Sequence, residues 1–309
     1  MLPQGIVAST VTPFTSSGNV ALDLLPDHIN WLIDEGVDGL SPLGSSGEFA
    51  ALEIDQRKRV LEKVVAINGG RRHIMAGTHH YSTQATIELS RHAEAVGADS
   101  LLITPPYYMS PSIAQVMDHY RAVAEKTTLP IVLYHNVANT NVDLTTEHLA
   151  RLFQEKAIHG VKMSNPEPDR ICELLQVTGG QCTVYAGIDV VAFEALCHGA
   201  HGWISGIPSM TPRAAKRLYQ AIQRSDLDAA RREWHDLAPL MRMQFRGYLQ
   251  RGGDPNWFSV MKAALNLIGP SVNDPLPPIR RLGDQDMAKL RGLLKNLGYE
   301  ITLVRQDPR

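Results

Sequence analysis

Short apolar runs alternate with longer amphipathic stretches over the first two thirds of the chain. Eight of the runs read as strands: residues 6–11, 39–43, 73–77, 100–104, 131–134, 160–163, 183–186 and 202–205. They are short, rich in Val, Ile and Leu and often introduced by Gly or Pro, the pattern of strands buried on both faces. The stretches between them carry helical spacing. Residues 24–35 place Leu25, Ile29, Leu32 and Ile33 on one stripe, and 83–96 do the same with Ile87, Leu89 and Ala93. Thr145, ahead of Thr146, Glu147 and His148, offers a hydroxyl cap for a helix that enters its apolar positions at Leu149. Strands alternating with helical crossovers make a parallel sheet, and eight such units close a (β/α)8 barrel. The competing architecture is a doubly wound open sheet. That fold wants a glycine-rich phosphate turn after its first strand, where this chain has Thr12-Pro13-Phe14.

After Ser205 the strand signals stop. Residues 213–224, 227–249, 256–267 and 284–297 read as helices, with turns at Gly252-Gly253-Asp254-Pro255 and at 275–278. The first of these helices completes the barrel, so the expected division is a catalytic barrel over 1–224 and a helical layer over 225–309. No long linker separates the two, and the layer is expected to pack on the barrel rather than stand as an independent domain.

Composition narrows the function classes. Lys plus Arg number 30 and Asp plus Glu 32, a formal charge of −2. That balance leaves no electrostatic footprint for nucleic acid or an anionic membrane surface. No run approaches the ~18 apolar residues a membrane span needs, and Met1 to Gly5 lack the basic-then-apolar build of a signal peptide. Three cysteines without CxxC spacing point to neither a disulfide framework nor a zinc site. A cytoplasmic metabolic enzyme acting on a small molecule is the expectation.

Active sites of such barrels form where strands run into the loops at their C-terminal ends. Four places there carry candidate chemistry. Lys162 stands inside an otherwise apolar strand, Gly160-Val161-Lys162-Met163. Desolvation disfavours an ammonium, and a neutral amine attacks a ketone to give an electron-withdrawing iminium; the other reading is a lysine whose head reaches the rim. Gly44-Ser45-Ser46-Gly47-Glu48, directly after the second strand, can form a concave carboxylate site from two hydroxyls and backbone amides, or an ordinary capped turn. Glu48 in place of a glycine departs from the GxSxG nucleophile elbow. Tyr134 ends the fifth strand and can shuttle protons. Pro105-Pro106-Tyr107-Tyr108 follows the fourth, as a catalytic pair or as packing at the mouth.

Taken together, these segments resemble the dihydrodipicolinate synthase / N-acetylneuraminate lyase family of Schiff-base aldolases and lyases, along essentially the whole chain. Gly44 to Glu48 is similar to the family's GxxGE, Gly160-Val161-Lys162 to its lysine strand, and Tyr134 to its catalytic tyrosine. The resemblance implies a lyase that holds a 2-oxo acid such as pyruvate as a Schiff base on Lys162, without metal or diffusible cofactor. It implies Tyr134 as proton relay, Ser45 as the hydroxyl linking it to a second tyrosine, and Tyr108 as that second tyrosine, reaching into a neighbouring subunit's site. Ser46 joins Ser45 in the carboxylate pocket, and Gly187 and Ile204 line the cavity. A homotetramer built from dimers is implied as well.

The match to the lysine-precursor synthase, which condenses pyruvate with aspartate semialdehyde, breaks at two points. Asn139 stands where that enzyme has a carboxylate-gripping arginine, and an amide does not replace a guanidinium fork. Gly187-Ile188-Asp189 replaces a glycine followed by two acidic residues. The segment from His79 to Gln84 is similar to 2-oxo-3-deoxy-pentonate dehydratases, although Gly44 to Glu48 departs from their loop. Gly202-Trp203 and the tail resemble deaminases of a hydroxyproline-derived acid. His79 and His80 are therefore substrate-binding candidates, with a hydrogen-bonded loop pair as their other reading. Aldol cleavage, condensation, dehydration and deamination all remain open. So do a barrel that binds a small acid without chemistry, and a phosphate-handling isomerase. The isomerase's loop after strands seven and eight is poorly matched by Gly206-Ile207-Pro208-Ser209.

Overall fold

The computed structural model describes residues 1–249 and 255–302. Eight parallel strands close into a barrel in the order β1 to β8. They are β1 Gly5–Ser9, β2 Gly39–Ser41, β3 His73–Gly77, β4 Ser100–Ile103, β5 Ile131–His135, β6 Gly160–Met163, β7 Thr183–Ala186 and β8 Gly202–Ser205. β1 pairs with both β2 and β8, leaving no free edge. The closed sheet is the expected (β/α)8 barrel and not the competing open, doubly wound one.

The period-two alternation of each strand sorts side chains into two shells. Val7, Met75, Leu102, Val132, Tyr134, Tyr185 and Ile204 pack together inside the barrel. Their neighbours Ile6, Ile74, Leu101, Leu133, Val161 and Val184 join the larger core between sheet and helices. Lys162 pairs in register with Tyr134 on one side and Tyr185 on the other, so strand parity alone sets it on the inward face.

Four strands differ from expectation at their ends: β1 begins one residue earlier and stops two earlier, β4 stops one residue earlier, and β2 and β5 differ as follows. β2 stops at Ser41, because Pro42 has no N–H and Leu43 adopts a left-handed φ of 62°; the Pro42 carbonyl instead accepts from Gly77 N–H at 2.9 Å. β5 runs one residue further, to His135.

Helices Pro212–Gln223, Leu227–Leu249, Trp257–Ile268 and Asp284–Asn296 fall close to the expected spans. The turn anticipated at Gly252-Gly253-Asp254 lies outside the described residues. Thr145 caps the helix Thr146–Gln154, its hydroxyl accepting from His148 N–H. Buried residues of the last helices and of the segment after them, among them Leu265, Leu290 and Tyr299, belong to the same continuous apolar cluster as the barrel's outer shell. Among the described residues no helix is long and apolar enough to cross a membrane.

Candidate active site

β5 and β6 place a phenol and an amine side by side. The Lys162 side chain is buried, and its Nζ lies 3.8 Å from the centroid of the Tyr134 ring. Asn136 Nδ2 donates to the Tyr134 hydroxyl at 3.1 Å, and Lys162 and Ser45 stand close enough to it to favour its ionised form. A single helical turn, Val137–Thr140, folds the chain back so that Asn139 Nδ2 donates to Asn136 Oδ1 at 3.2 Å. Burial alone raises a phenol's pKa. Here the charge of Lys162 and the hydrogen bonds from Ser45, Lys162 and Asn136 outweigh it and bring Tyr134 below the usual phenol range. Such a phenol exchanges its proton more readily than an isolated tyrosine.

Ser45 reaches this position from a strained turn. Ser45–Gly47 is one turn of 3-10 helix, bracketed by Leu43 at φ 62° and Glu48 at φ 53°. Left-handed backbone at a residue with a Cβ costs roughly 1–2 kcal/mol, so the surroundings must hold it. Thr12 Oγ1 donates to the Gly47 carbonyl at 2.7 Å. The Glu48 carboxylate turns away from the barrel axis, with Oε1 2.7 Å from Lys262 Nζ and Oε2 accepting from Leu276 N–H at 2.9 Å. Lys262 is itself buried in the helix Trp257–Ile268. It donates to the Asp274 carbonyl at 3.2 Å and lies 4.2 Å from the Phe14 ring centroid. The C-terminal layer thus anchors the loop that carries Ser45. Ser46 is buried in the same turn.

Gly187 follows β7 against the lysine. A Cβ there would stand 2.9 Å from Lys162 Cγ and 2.2 Å from Ser164 Oγ, so glycine is what lets the amine's stem pass. Ile204 is fully buried in the inner shell with Tyr134. His79 lies behind the phenol, its ring centroid 6.2 Å from that of Tyr134 and 4.6 Å from Phe49. Its Nδ1 accepts from Thr104 N–H at 3.1 Å, and burial holds it well below the ordinary histidine range, so it is neutral and enclosed. His80 is part-exposed, accepts from Ser82 N–H at 2.9 Å and packs on Tyr81 at 4.2 Å between centroids. Tyr108 is not drawn into the cluster: it is 76% exposed at the rim, near exposed Met109 and Tyr81. Its ring centroid is 6.2 Å from that of Tyr81. The structure therefore assembles Lys162, Tyr134, Ser45, Asn136 and Asn139, with Ser46, Gly187 and Ile204 adjoining, and leaves Tyr108 and His80 outside. Sequence reasoning passed over Asn136, although a polar residue just past a barrel strand's C-terminal end is a usable signal.

Beside this cluster opens a cavity of about 310 Å³, bordered by Ser45, Thr104, Asn136 and Asn139. Asp189, after β7, is fully buried beneath the other side. Its Oδ1 accepts from Trp203 Nε1 at 3.0 Å and from Ile207 N–H at 3.3 Å. Burial pushes its carboxyl up to about 6, against hydrogen bonds from Ser205, Ile207 and Trp203 and the charge of Lys162. A carboxyl that holds its proton more tightly folded than unfolded costs stability as pH rises from about 4 to about 6. The gap from 3.8 to about 6 corresponds to about 3 kcal/mol. Urea denaturation of Asp189→Asn is therefore expected to show a gain of about 2–3 kcal/mol over the parent between pH 4 and pH 7; a difference constant across that window would remove the ionisation from the account. Among the described residues no group of three His, Cys, Asp or Glu side chains is gathered to hold a metal ion.

The model of the dihydrodipicolinate synthetase family matches residues 2–297. The 4-hydroxy-tetrahydrodipicolinate synthase of Pelobacter propionicus is 33% identical over 295 residues, covering 96% of this chain and 99% of the relative. Its counterpart from Methanocaldococcus jannaschii is 32% identical, covering 96% of this chain and 99% of its own. Among solved structures, dihydrodipicolinate synthase from Aquifex aeolicus superposes with a TM-score of 0.88 at 28% identity, over 97% of this chain and 100% of that one. YagE, a prophage protein of the same family from E. coli K12 in complex with pyruvate, gives 0.87 at 29%, over 96% and 99%.

Proposed function

This chain belongs to the dihydrodipicolinate synthetase family of Schiff-base lyases, and from that premise we propose that Lys162 holds a 2-oxo acid as an iminium while Tyr134 moves the protons. The observation that carries the reading is the buried Lys162 amine 3.8 Å from the Tyr134 ring centroid, at the C-terminal end of β6. The Lys162 nitrogen adds its free electron pair to C2 of the oxo acid. A proton then moves from that nitrogen to the oxygen at C2, with the neighbouring Tyr134 hydroxyl as relay, to give a carbinolamine. The oxygen then leaves as water with a further proton, supplied by Tyr134 and relayed through Ser45. The substrate carboxylate rests on Ser45, Ser46 and the amides of their turn. The resulting iminium draws electrons from C3, so that a proton leaves C3 or a C3–C4 bond breaks or forms. Aldol cleavage or condensation and loss of a C4 hydroxyl or amine share this intermediate.

Treatment with pyruvate and borohydride, followed by peptide mass mapping, is expected to place a reduced adduct on Lys162. Absence of the adduct from that peptide removes the proposal. Tyr134→Phe is expected to lower kcat at least about 100-fold while leaving the fold intact, because it deletes the proton carrier and nothing of the ring packing. Activity within threefold of the parent would take the relay role from Tyr134.

The relatives' name would bring aspartate semialdehyde as the second substrate, the reading we rank second. Asn139 speaks against it. Its neutral amide is engaged with Asn136 and offers no bidentate grip on a second carboxylate. An acid of the 2-oxo-3-deoxy sugar or hydroxyproline-derived kind fits this environment better. We further propose a cytoplasmic homotetramer, a dimer of dimers, in which Tyr108 enters a partner's site. Three free cysteines suit a reducing compartment. The exposed group of Tyr81, Tyr108 and Met109 suits a rim covered by another chain.

A further inference from the structure

We infer that the cavity beside Asn136 receives the arm of the substrate beyond C3, and that this arm is uncharged with a largely apolar face. The inference rests on the reading of Lys162 as the iminium-forming amine. The cavity begins at Ser45 and Asn136, of which Asn136 donates to the Tyr134 hydroxyl at 3.1 Å, so it lies next to the reacting centre. Lys162 does not line it. With C2 bound at the amine, this adjoining space is where the part of the substrate past C3 extends.

At about 310 Å³ it is the size of a small-molecule subsite. Its far wall comes from the C-terminal layer and is apolar: Trp257 and Phe258, whose rings stack at 3.9 Å between centroids, with Leu276 and Ile279. Phe49 continues that wall from the loop after Ser45. The near wall offers the amides of Asn136 and Asn139, which suit a hydroxyl or carbonyl on one edge of the arm. Among the described lining residues the one carboxylate is Glu48, whose charge is met by Lys262 at 2.7 Å. A charged arm placed here gives up its hydration for aromatic rings and neutral amides, whereas an apolar one gains by leaving water.

Borohydride trapping on the full-length protein separates the alternatives, using pyruvate, 4-methyl-2-oxopentanoate and 2-oxoglutarate as probes. The expected result is half-maximal labelling of Lys162 by 4-methyl-2-oxopentanoate at a concentration at least about tenfold below that of 2-oxoglutarate. Trp257→Ala is expected to shrink that ratio to within about threefold, and Ile279→Ala to shrink it in the same direction, which serves if the tryptophan variant does not fold. No adduct with any probe, pyruvate included, overturns the Schiff-base reading itself. Adducts with pyruvate but equal or better labelling by 2-oxoglutarate overturn the uncharged-arm inference and leave the Schiff base standing.

Discussion

Replacing Lys162 by methionine is expected to abolish borohydride-trapped adducts and to lower turnover by on the order of 10⁵-fold or more. The substitution keeps an unbranched side chain of similar length in the slot beside Gly187 and deletes the nitrogen that would bond to C2. Each tenfold loss is about 1.4 kcal/mol of barrier, so the expected effect is about 7 kcal/mol. That far exceeds what a hydrogen bond or ion pair supplies, and it reflects a covalent route that no longer exists. The fold itself has little reason to suffer. Lys162 is buried among Tyr134, Tyr185 and Ser164, and an apolar thioether is easier to bury than an amine. Circular dichroism and urea midpoints are expected to match or exceed the parent's. Turnover within tenfold of the parent would show that the chemistry does not pass through this nitrogen.

The second large effect concerns stability. Lys262→Met leaves the Glu48 carboxylate buried with Leu276 N–H as a remaining donor, and removing one partner of a buried pair costs about 3–5 kcal/mol. The same change strips a charge from beside His28, which is fully buried and which burial, then the charge of Lys262, pushes down to about 3. Relief at that histidine is small, because desolvation is the larger cause there. Adding Glu48→Gln to Lys262→Met removes the orphaned charge and is expected to recover more than half of the loss in urea denaturation. If the double variant is as unstable as the single one, the cost lies in the lost contacts of Lys262 Nζ with the Phe14 ring and the Asp274 carbonyl rather than in the orphaned Glu48 charge.

Much of this architecture could be read from the chain because the barrel repeats one local rule. Each strand is a short apolar run and each crossover a helical stripe, and strand parity then fixes which residues face inward. Lys162 stood out for the same reason: a lysine in a run of Gly, Val and Met breaks the apolar pattern at an inward position. Expectation failed where local conformation depends on distant contacts. The shortening of β2 follows from Pro42 and the left-handed Leu43, a conformation that a Leu in an apolar run does not announce. The helical turn Val137–Thr140 is too short to carry periodicity, yet it sets Asn139 against Asn136. Tyr108 was legible as one of a tyrosine pair, but its exposure at the rim follows from the loop's path and not from composition. The pairing of Glu48 with Lys262 was not legible, since the two lie 214 positions apart and nothing local in the sequence links the loop after the second strand to a helix of the C-terminal layer.

Glu48 has a further consequence for how the protein is made. Its backbone amide partner, Leu276, is synthesised 228 positions later, and Lys262 only slightly earlier. While the ribosome is still extending the chain, all eight staves have emerged but the strained turn bearing Ser45 has Thr12 to hold it and not yet Lys262 or Leu276. The anchor of the Ser45 turn is therefore completed only once residues 262 to 276 have left the exit tunnel, well after the strands that bear Tyr134 and Lys162.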